Sequence, residues 1–406
     1  MAARGDRAGI DDRWHKRMRQ PDGTTTTVKS AVYGQVTRWR VRWVVDGREH
    51  SKVFERKVDA QAHLDQVTAD VVKGTYVSPH KSSVLLRDIA EEWIAGKGAR
   101  KPKTVAGYRS ILDTLILPRF GDTKLSDITH GDVQKWVSSL SVDGSIRTTG
   151  KGLSASRVIQ AHQCLGAIID YAMRTERVGK NVAKKIELPR KSVGEPRLYL
   201  THGELQALAA AAGRFETMTL TLGYCGLRFG EAVALRGRDI QDGTITVRSS
   251  VTNVTGKGLI EDTTKTGRVR TVPVPGLVWD RLKNELPSDP DALVFPGNKE
   301  GEWLTTGQYR HVFDSAAKQA GVPGLTPHDL RHTCASLAIS TGTNIKAIQR
   351  LLGHQTTAMT LDRYGHLFDD DLQRVAHQLD TAARAAQSSC GTTAVSETVD
   401  QAENSL

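Results

Sequence analysis

Apolar and polar positions first alternate at Arg38-Trp39-Arg40-Val41-Arg42-Trp43-Val44-Val45. A two-residue period there puts Arg38, Arg40 and Arg42 on one strand face and Trp39, Val41 and Trp43 on the other. Asp46-Gly47 is a hairpin-turn signal, and His50-Ser51-Lys52-Val53-Phe54 can return as the partner strand. A helix is expected next, from about Val58 to Val72, with Ala62, Val67 and Val71 among its apolar positions. Residues 30–78 therefore read as a small sheet plus one helix. Residues 1–29, polar and without a period, read as an N-terminal extension.

From residue 83 the period becomes helical. Thr104 precedes a helix carrying Tyr108, Ile111, Leu112 and Leu115, and Val158, Ala161, Leu165, Ile168, Ile169 and Ala172 mark another. This helical segment is expected over 83–186. A stretch without apolar pattern, 187–199, runs through Pro189 to Pro196 and reads as a linker. A third segment, 200–385, opens at Thr201-His202-Gly203-Glu204, a capping box ahead of Leu205, Leu208 and Ala209. Within it, short β-branched runs around Thr244–Val247 and Leu259–Val274 predict a small antiparallel sheet, with Lys265 on the turn at Thr266-Gly267. Residues 386–406 are rich in Ser, Thr and Ala, contain no Lys or Arg, and are expected to be disordered. The fold class is mixed α/β and multidomain, mainly helical.

Charge changes this picture. Residues 1–80 hold 15 Lys and Arg against 10 Asp and Glu, residues 81–200 hold 21 against 12, and residues 201–406 hold 20 against 23, so the formal +11 sits in the first half. That partition suits modules that neutralise phosphates ahead of a domain working through a few placed charges, or else a basic solvated surface. The candidate DNA contacts are Arg38, Arg40 and Arg42 on the strand face, with Lys101, Lys103, Lys184 and Lys185 in the helical segment. Four scattered cysteines without CxxC spacing argue against a disulfide framework and a thiolate zinc site, and point to a reducing compartment. No run of about 18 apolar residues occurs, which argues against membrane insertion.

Three motifs carry candidate chemistry. In Cys225-Gly226-Leu227-Arg228-Phe229-Gly230-Glu231, Gly226 breaks a helix and Arg228 opens the next, with Glu231 three residues on; by itself this is equally an ordinary surface pair. In Thr326-Pro327-His328-Asp329-Leu330-Arg331-His332, Thr326 is an N-cap and Pro327 suits the first helical position. His328 and Arg331 then share a face on which both meet one phosphate near the helix N-terminus. Further on, a helix with Ile345, Ile348, Leu351 and Leu352 stops at Gly353, His354 follows, and a short helix from Thr356 ends at Tyr364. His328, His332, His354 and His366 also raise a metal hydrolase, but Arg331 lies between the first two and no carboxylate completes an HExxH pattern. His332 reads as a supporting residue of its helix.

Through GLRFGEAVALR, TPHDLRHTCASLA and LLGHQTTAMTLDRY, residues 201–370 resemble the tyrosine recombinase family, in particular the phage-type integrases of mobile elements. The resemblance implies that Arg228 and Arg331 are the catalytic arginines, Lys265 the hairpin lysine, His328 the histidine of the HxxR motif, His354 the second histidine and Tyr364 the nucleophile. Two guanidinium forks would neutralise a phosphodiester as it becomes pentacoordinate. His328 would accept the Tyr364 proton, Lys265 would protonate the departing 5′ oxygen, and His354 would donate a hydrogen bond to the phosphate. A 3′-phosphotyrosine intermediate conserves bond energy, so neither metal, ATP nor other cofactor is required. The family further implies double-stranded attachment sites as substrate and a homotetramer on DNA. It also implies an excisionase or host DNA-bending protein as accessory partner, and a place in the cytoplasm on the nucleoid of a bacterial host. By layout, 30–78 corresponds to an arm-type DNA-binding domain with a three-stranded sheet and helix, 83–186 to a core-binding domain and 200–385 to the catalytic domain. A type IB topoisomerase shares the covalent chemistry, and an inactive DNA-binding regulator is the remaining alternative.

Overall fold

The computed structural model describes residues 8–391, apart from 22, 46, 74–75, 79–82, 146–147, 149, 192–198, 266, 300 and 369–370. It divides into two compact units, 1–193 and 194–406.

In the first unit, strands β1 (Gly9–Asp12), β2 (His15–Arg19), β3 (Thr25–Lys29), β4 (Trp39–Val45) and β5 (Arg48–Phe54) precede helix α1 (Lys57–Val72). The sheet is three-stranded and antiparallel in the order β1-β4-β5, and β2 pairs with β3 in a separate two-stranded ribbon. The expected alternation on β4 is present: Val41 and Trp43 are buried with Ala60 and Val67 of α1, while Arg42 is exposed. Gly47, at positive φ, closes the β4–β5 turn; Asp46 lies outside the described residues. Residues 9–29 are not an extension, because β1 supplies the third strand of the sheet. Its four residues bring one apolar side chain, Ile10, to this core, too few to leave a period.

The helical part of this unit contains α2 (Leu86–Ala95), α3 (Pro102–Ile111), α4 (His130–Asp143) and α5 (Ala155–Arg174). α3 begins two residues before Thr104, with Pro102 in its first turn, where the missing N–H costs nothing. Leu86, Ile89, Trp93, Leu112, Phe120, Trp136, Leu165 and Ile168 share one core. Trp136 Nε1 donates to the Leu115 carbonyl at 3.1 Å, satisfying its one polar atom inside that core. Of the expected linker, Glu187 is held by the Gln134 side-chain amide at 2.9 and 3.1 Å, and 192–198 lie outside the described residues.

The second unit contains α6 (His202–Ala211), α7 (Glu216–Cys225), α8 (Phe229–Val233), β6 (Ile240–Gln241), β7 (Thr244–Val247), β8 (Ser249–Val254), β9 (Gly258–Thr263), β10 (Arg270–Pro273), α9 (Gly276–Leu282), α10 (Thr306–Gln319), α11 (Pro327–Ser340), α12 (Ile345–Leu352), α13 (Thr357–Tyr364) and α14 (Asp371–Gly391). The strands form two pieces, a sheet ordered β10-β7-β6 and a β8-β9 hairpin. The predicted capping box of Thr201 with Glu204 is present, and at the expected helix start Asp329 accepts from the Thr326 backbone N–H at 2.8 Å. Tyr309, Phe313, Leu205, Leu208, Leu222 and Leu330 belong to one buried cluster. The boundary expected at 386 is not observed: α14 continues to Gly391, and the remainder of the tail lies outside the described residues. Val375 and Leu379 on that helix are exposed. Among the described residues no helix is long and apolar enough to cross a membrane.

Candidate active site

Two helix ends build the floor of the site. α7 stops at Gly226 and α12 at Gly353, both left-handed (φ 65° and 64°). A Cβ on Gly226 would lie 2.8 Å from Leu352 Cδ2 and 3.0 Å from Cys334 Sγ, so glycine lets the two ends meet. Their last carbonyls have no partner within their own helices and carry partial negative charge. Arg331, on α11, fills that need: its guanidinium donates to the Gly226 and Leu352 carbonyls. It is 2% exposed, and burial and the nearby charge of Arg228 pull its pKa down to about 9.

Arg228 follows as the N-cap of α8. Glu231 accepts from the Arg228 backbone N–H at 2.9 Å and from its guanidinium at 2.8 Å. Glu231 is 1% exposed and also accepts a bidentate pair from Arg270 of β10, at 3.0 and 2.7 Å. Burial would raise the Glu231 pKa, but the Arg270 hydrogen bonds and the charges of Arg270 and Arg228 win and hold it at about 2. Arg270 Nε continues to the Leu351 carbonyl at 3.2 Å. The carboxylate thus ties α8, β10 and the end of α12 together behind the two arginines. Arg270 was not singled out from sequence, because one arginine in a β-branched run carries no signal of its partner.

Tyr364, at the end of α13, is fully buried, and its hydroxyl lies 2.6 Å from His332 Nδ1. His328 is the residue expected to accept the Tyr364 proton. His328 instead meets His332 edge-on, with ring centroids 4.9 Å apart. His332 is 2% exposed and is in contact with the Tyr364 hydroxyl. Burial raises the Tyr364 pKa to about 12, although the Arg331 charge opposes this. His328 is exposed as a residue, and partial burial of its side chain, then the Arg331 charge, lowers its pKa. His354 is half-buried, bonded through Nδ1 to Thr360 Oγ1 at 2.9 Å. Burial, then the charges of Arg331 and Arg228, depress its pKa to about 4, so the ring is neutral at pH 7.

Lys265 stands on an exposed turn after β9, shaped by Thr264 Oγ1 donating to the Arg268 carbonyl at 2.9 Å. Among the described residues it forms no hydrogen bond or ion pair with the other candidates. The candidate DNA contacts divide as well. Arg38 pairs with Asp12 at 2.8 Å, and Arg40 and Arg42 both pair with Asp11, at 2.9 and 2.5 Å, so the predicted basic face is largely neutralised by β1. Lys101, Lys103, Lys184 and Lys185 are exposed, with Lys184 3.9 Å from Asp170. Among the described residues, no three His, Cys, Asp or Glu side chains gather as a metal site would require.

Residues 199–371 match the phage integrase family model, and residues 85–141 match the N-terminal SAM-like domain of phage integrases. The phiRv2 prophage integrase of Mycobacterium tuberculosis is 30% identical over 354 residues, covering 81% of this chain and 88% of the relative. An integrase of Streptomyces ambofaciens is 25% identical, covering 76% of this chain and 82% of its own. Among solved structures, the Tn1549 transposon integrase in complex with a circular intermediate DNA is similar with a TM-score of 0.62 at 23% identity, covering 73% of this chain and all of that one. A lambda integrase dimer bound to a COC′ core site aligns with a TM-score of 0.52 at 19% identity, over 80% and 91% of the two chains. A lambda integrase tetramer bound to a Holliday junction aligns equally well, with a TM-score of 0.52.

Proposed function

The chain belongs to the phage integrase family and is a tyrosine site-specific recombinase of a mobile element, and from that premise we propose that Arg228, Lys265, His328, Arg331, His354 and Tyr364 are its strand-cleavage residues. One observation carries the assignment. Arg331 is anchored to the Gly226 carbonyl, two residues before Arg228, and the position after Arg331 on the same helix holds the Tyr364 hydroxyl.

The substrate is double-stranded DNA at attachment sites. Arg228 and Arg331 receive the nonbridging oxygens of the scissile phosphate, and their geometry is fixed in advance by Glu231 and by the helix-end carbonyls. Tyr364 Oη attacks phosphorus, its proton passes to a histidine, and the 5′ oxygen leaves with a proton from Lys265. The second half of the reaction reverses these transfers onto a new strand, so bond energy is conserved throughout. Because Tyr364 is fully buried against His332, the hydroxyl must leave that contact to reach a phosphate, and α13 is the element that moves. Lys265, exposed on its turn, likewise closes onto the DNA.

The arm-type domain, now including β1, and the helical core-binding domain grip the DNA, and the unit from residue 200 cuts it. The protein works as a homotetramer across two sites, with an excisionase or a DNA-bending protein of the host setting direction, in the cytoplasm on the bacterial nucleoid. The test is a suicide substrate cut from the flanks of the element that carries the gene. The wild-type chain yields a covalent adduct that survives SDS, and Tyr364→Phe binds the same DNA without one. An adduct persisting in Tyr364→Phe removes that residue from the role.

A further inference from the structure

β2 and β3 form a two-stranded ribbon that, among the described residues, joins no other strand. Cross-strand pairing of Arg17 with Thr27, Arg19 with Thr25 and His15 with Lys29 places these six side chains on one face. That face is entirely polar, and all of it except His15 at the base is exposed. Among the described residues Arg17 and Arg19 have no ion-pair partner, in contrast to Arg38, Arg40 and Arg42, which carboxylates of β1 already occupy. Between residues 13 and 37 the sequence holds five Lys and Arg and one acid, Asp22.

A two-stranded ribbon alone is marginally stable in water, yet this one is held firmly at its base. Trp14 Nε1 donates to the Val36 carbonyl at 2.6 Å, and Ser30 N–H donates to the Trp14 carbonyl at 2.8 Å. Asp12 accepts from the Trp14 backbone and from Arg38, and is bonded to His15. Tyr33 packs on Trp14 with ring centroids 5.3 Å apart and carries Lys29 over its ring at 4.4 Å. The base is thus built from aromatic and ionic contacts, while the arm it projects offers hydroxyls and guanidinium groups with no ion-pair partner among the described residues.

We propose that this ribbon is a DNA-contact element distinct from the β4 face, entering the major groove of duplex DNA with Arg17 and Arg19 on backbone phosphates and Thr25 and Thr27 beside them. The major groove is wide enough for a two-stranded ribbon, and unpaired guanidinium groups with neighbouring hydroxyls match phosphate oxygens. The inference rests on the reading that the chain acts on DNA, and it adds where the first unit holds it.

The test measures binding of the full chain to a mixed-sequence duplex across a salt series, which needs no cleavage. Each phosphate contact contributes about 0.9 to the slope of log K against log salt, so Arg17→Gln/Arg19→Gln flattens the slope by about 2. Arg17→Lys/Arg19→Lys retains it, since a point charge still releases the counterion, and this variant separates lost charge from a collapsed ribbon. Lys16→Gln, from the opposite face, leaves the slope near the wild-type value, and single-stranded DNA of the same length shows no comparable loss. An unchanged slope in Arg17→Gln/Arg19→Gln overturns the proposal. So does an equal effect of Lys16→Gln, an equal loss on single strands, or failure of the lysine variant to restore the slope. Adduct formation by the wild type on the suicide substrate is read in parallel. Its absence would count against the recombinase chemistry and leave the ribbon result intact.

Discussion

Replacing Glu231 with Gln removes one charge from the most heavily used carboxylate of the site. The carboxyl is held at about 2 against an ordinary 4.5, and at ~1.4 kcal/mol per pH unit this corresponds to about 3 kcal/mol of stabilisation. Breaking a buried ion pair on one side costs a similar ~3–5 kcal/mol, because the partners keep their charge; here Arg270 and Arg228 are 11% and 23% exposed. Glu231→Gln therefore lowers stability by about 3 kcal/mol at pH 7, a large part of the ~5–15 kcal/mol a domain has. Urea unfolding at pH 7 can be read through thiol labelling of Cys225 and Cys334, both buried in the same unit, with Cys164 reporting the other unit separately. Because the folded pKa is depressed, the contribution is complete above about 4.5 and disappears as pH falls toward about 2, where the folded carboxylate also takes up its proton. The gap between the two proteins, followed at lower pH by circular dichroism, should close across that window. A cost below about 1 kcal/mol, the value of an exposed pair, or a gap independent of pH would refute the reasoning.

Three further outcomes follow from the same geometry. His332→Ala leaves the buried Tyr364 hydroxyl without its His332 partner, so it should cost about 1–3 kcal/mol by denaturation; a cost near zero would show that the contact is not populated in solution. His354 is neutral in the fold down to about pH 4 while the unfolded chain protonates near 6.5, so stability should decline as pH falls from about 6.5 to 4. His354→Asn should lose that part of the decline, as judged by melting temperature against pH. Gly226→Ala meets Leu352 and Cys334 at a left-handed position and should lower the melting temperature strongly, whereas Gly203→Ala, with open space around its Cβ, should not.

Much of the site was legible in the sequence because its residues sit beside local signals. Thr326, Pro327 and Asp329 specify a helix start, and that places His328 and Arg331 on one face with no tertiary information. Gly226 and Gly353 announce helix ends, and the alternation of β4 announces its two faces. What a local pattern cannot contain is the identity of a partner far along the chain. Arg270 reaches Glu231 across 39 positions, Arg331 reaches Gly226 across 105, and Tyr364 chooses His332 over His328 by how α13 docks on α11. The same limit explains the first 29 residues. β1 and the ribbon have almost no apolar face of their own, so only pairing in three dimensions makes them strands, and only that pairing shows Asp11 and Asp12 silencing Arg38, Arg40 and Arg42. Residue types and local stops were written in the chain; which charges remain free to meet DNA was decided by which strands and helix ends came together.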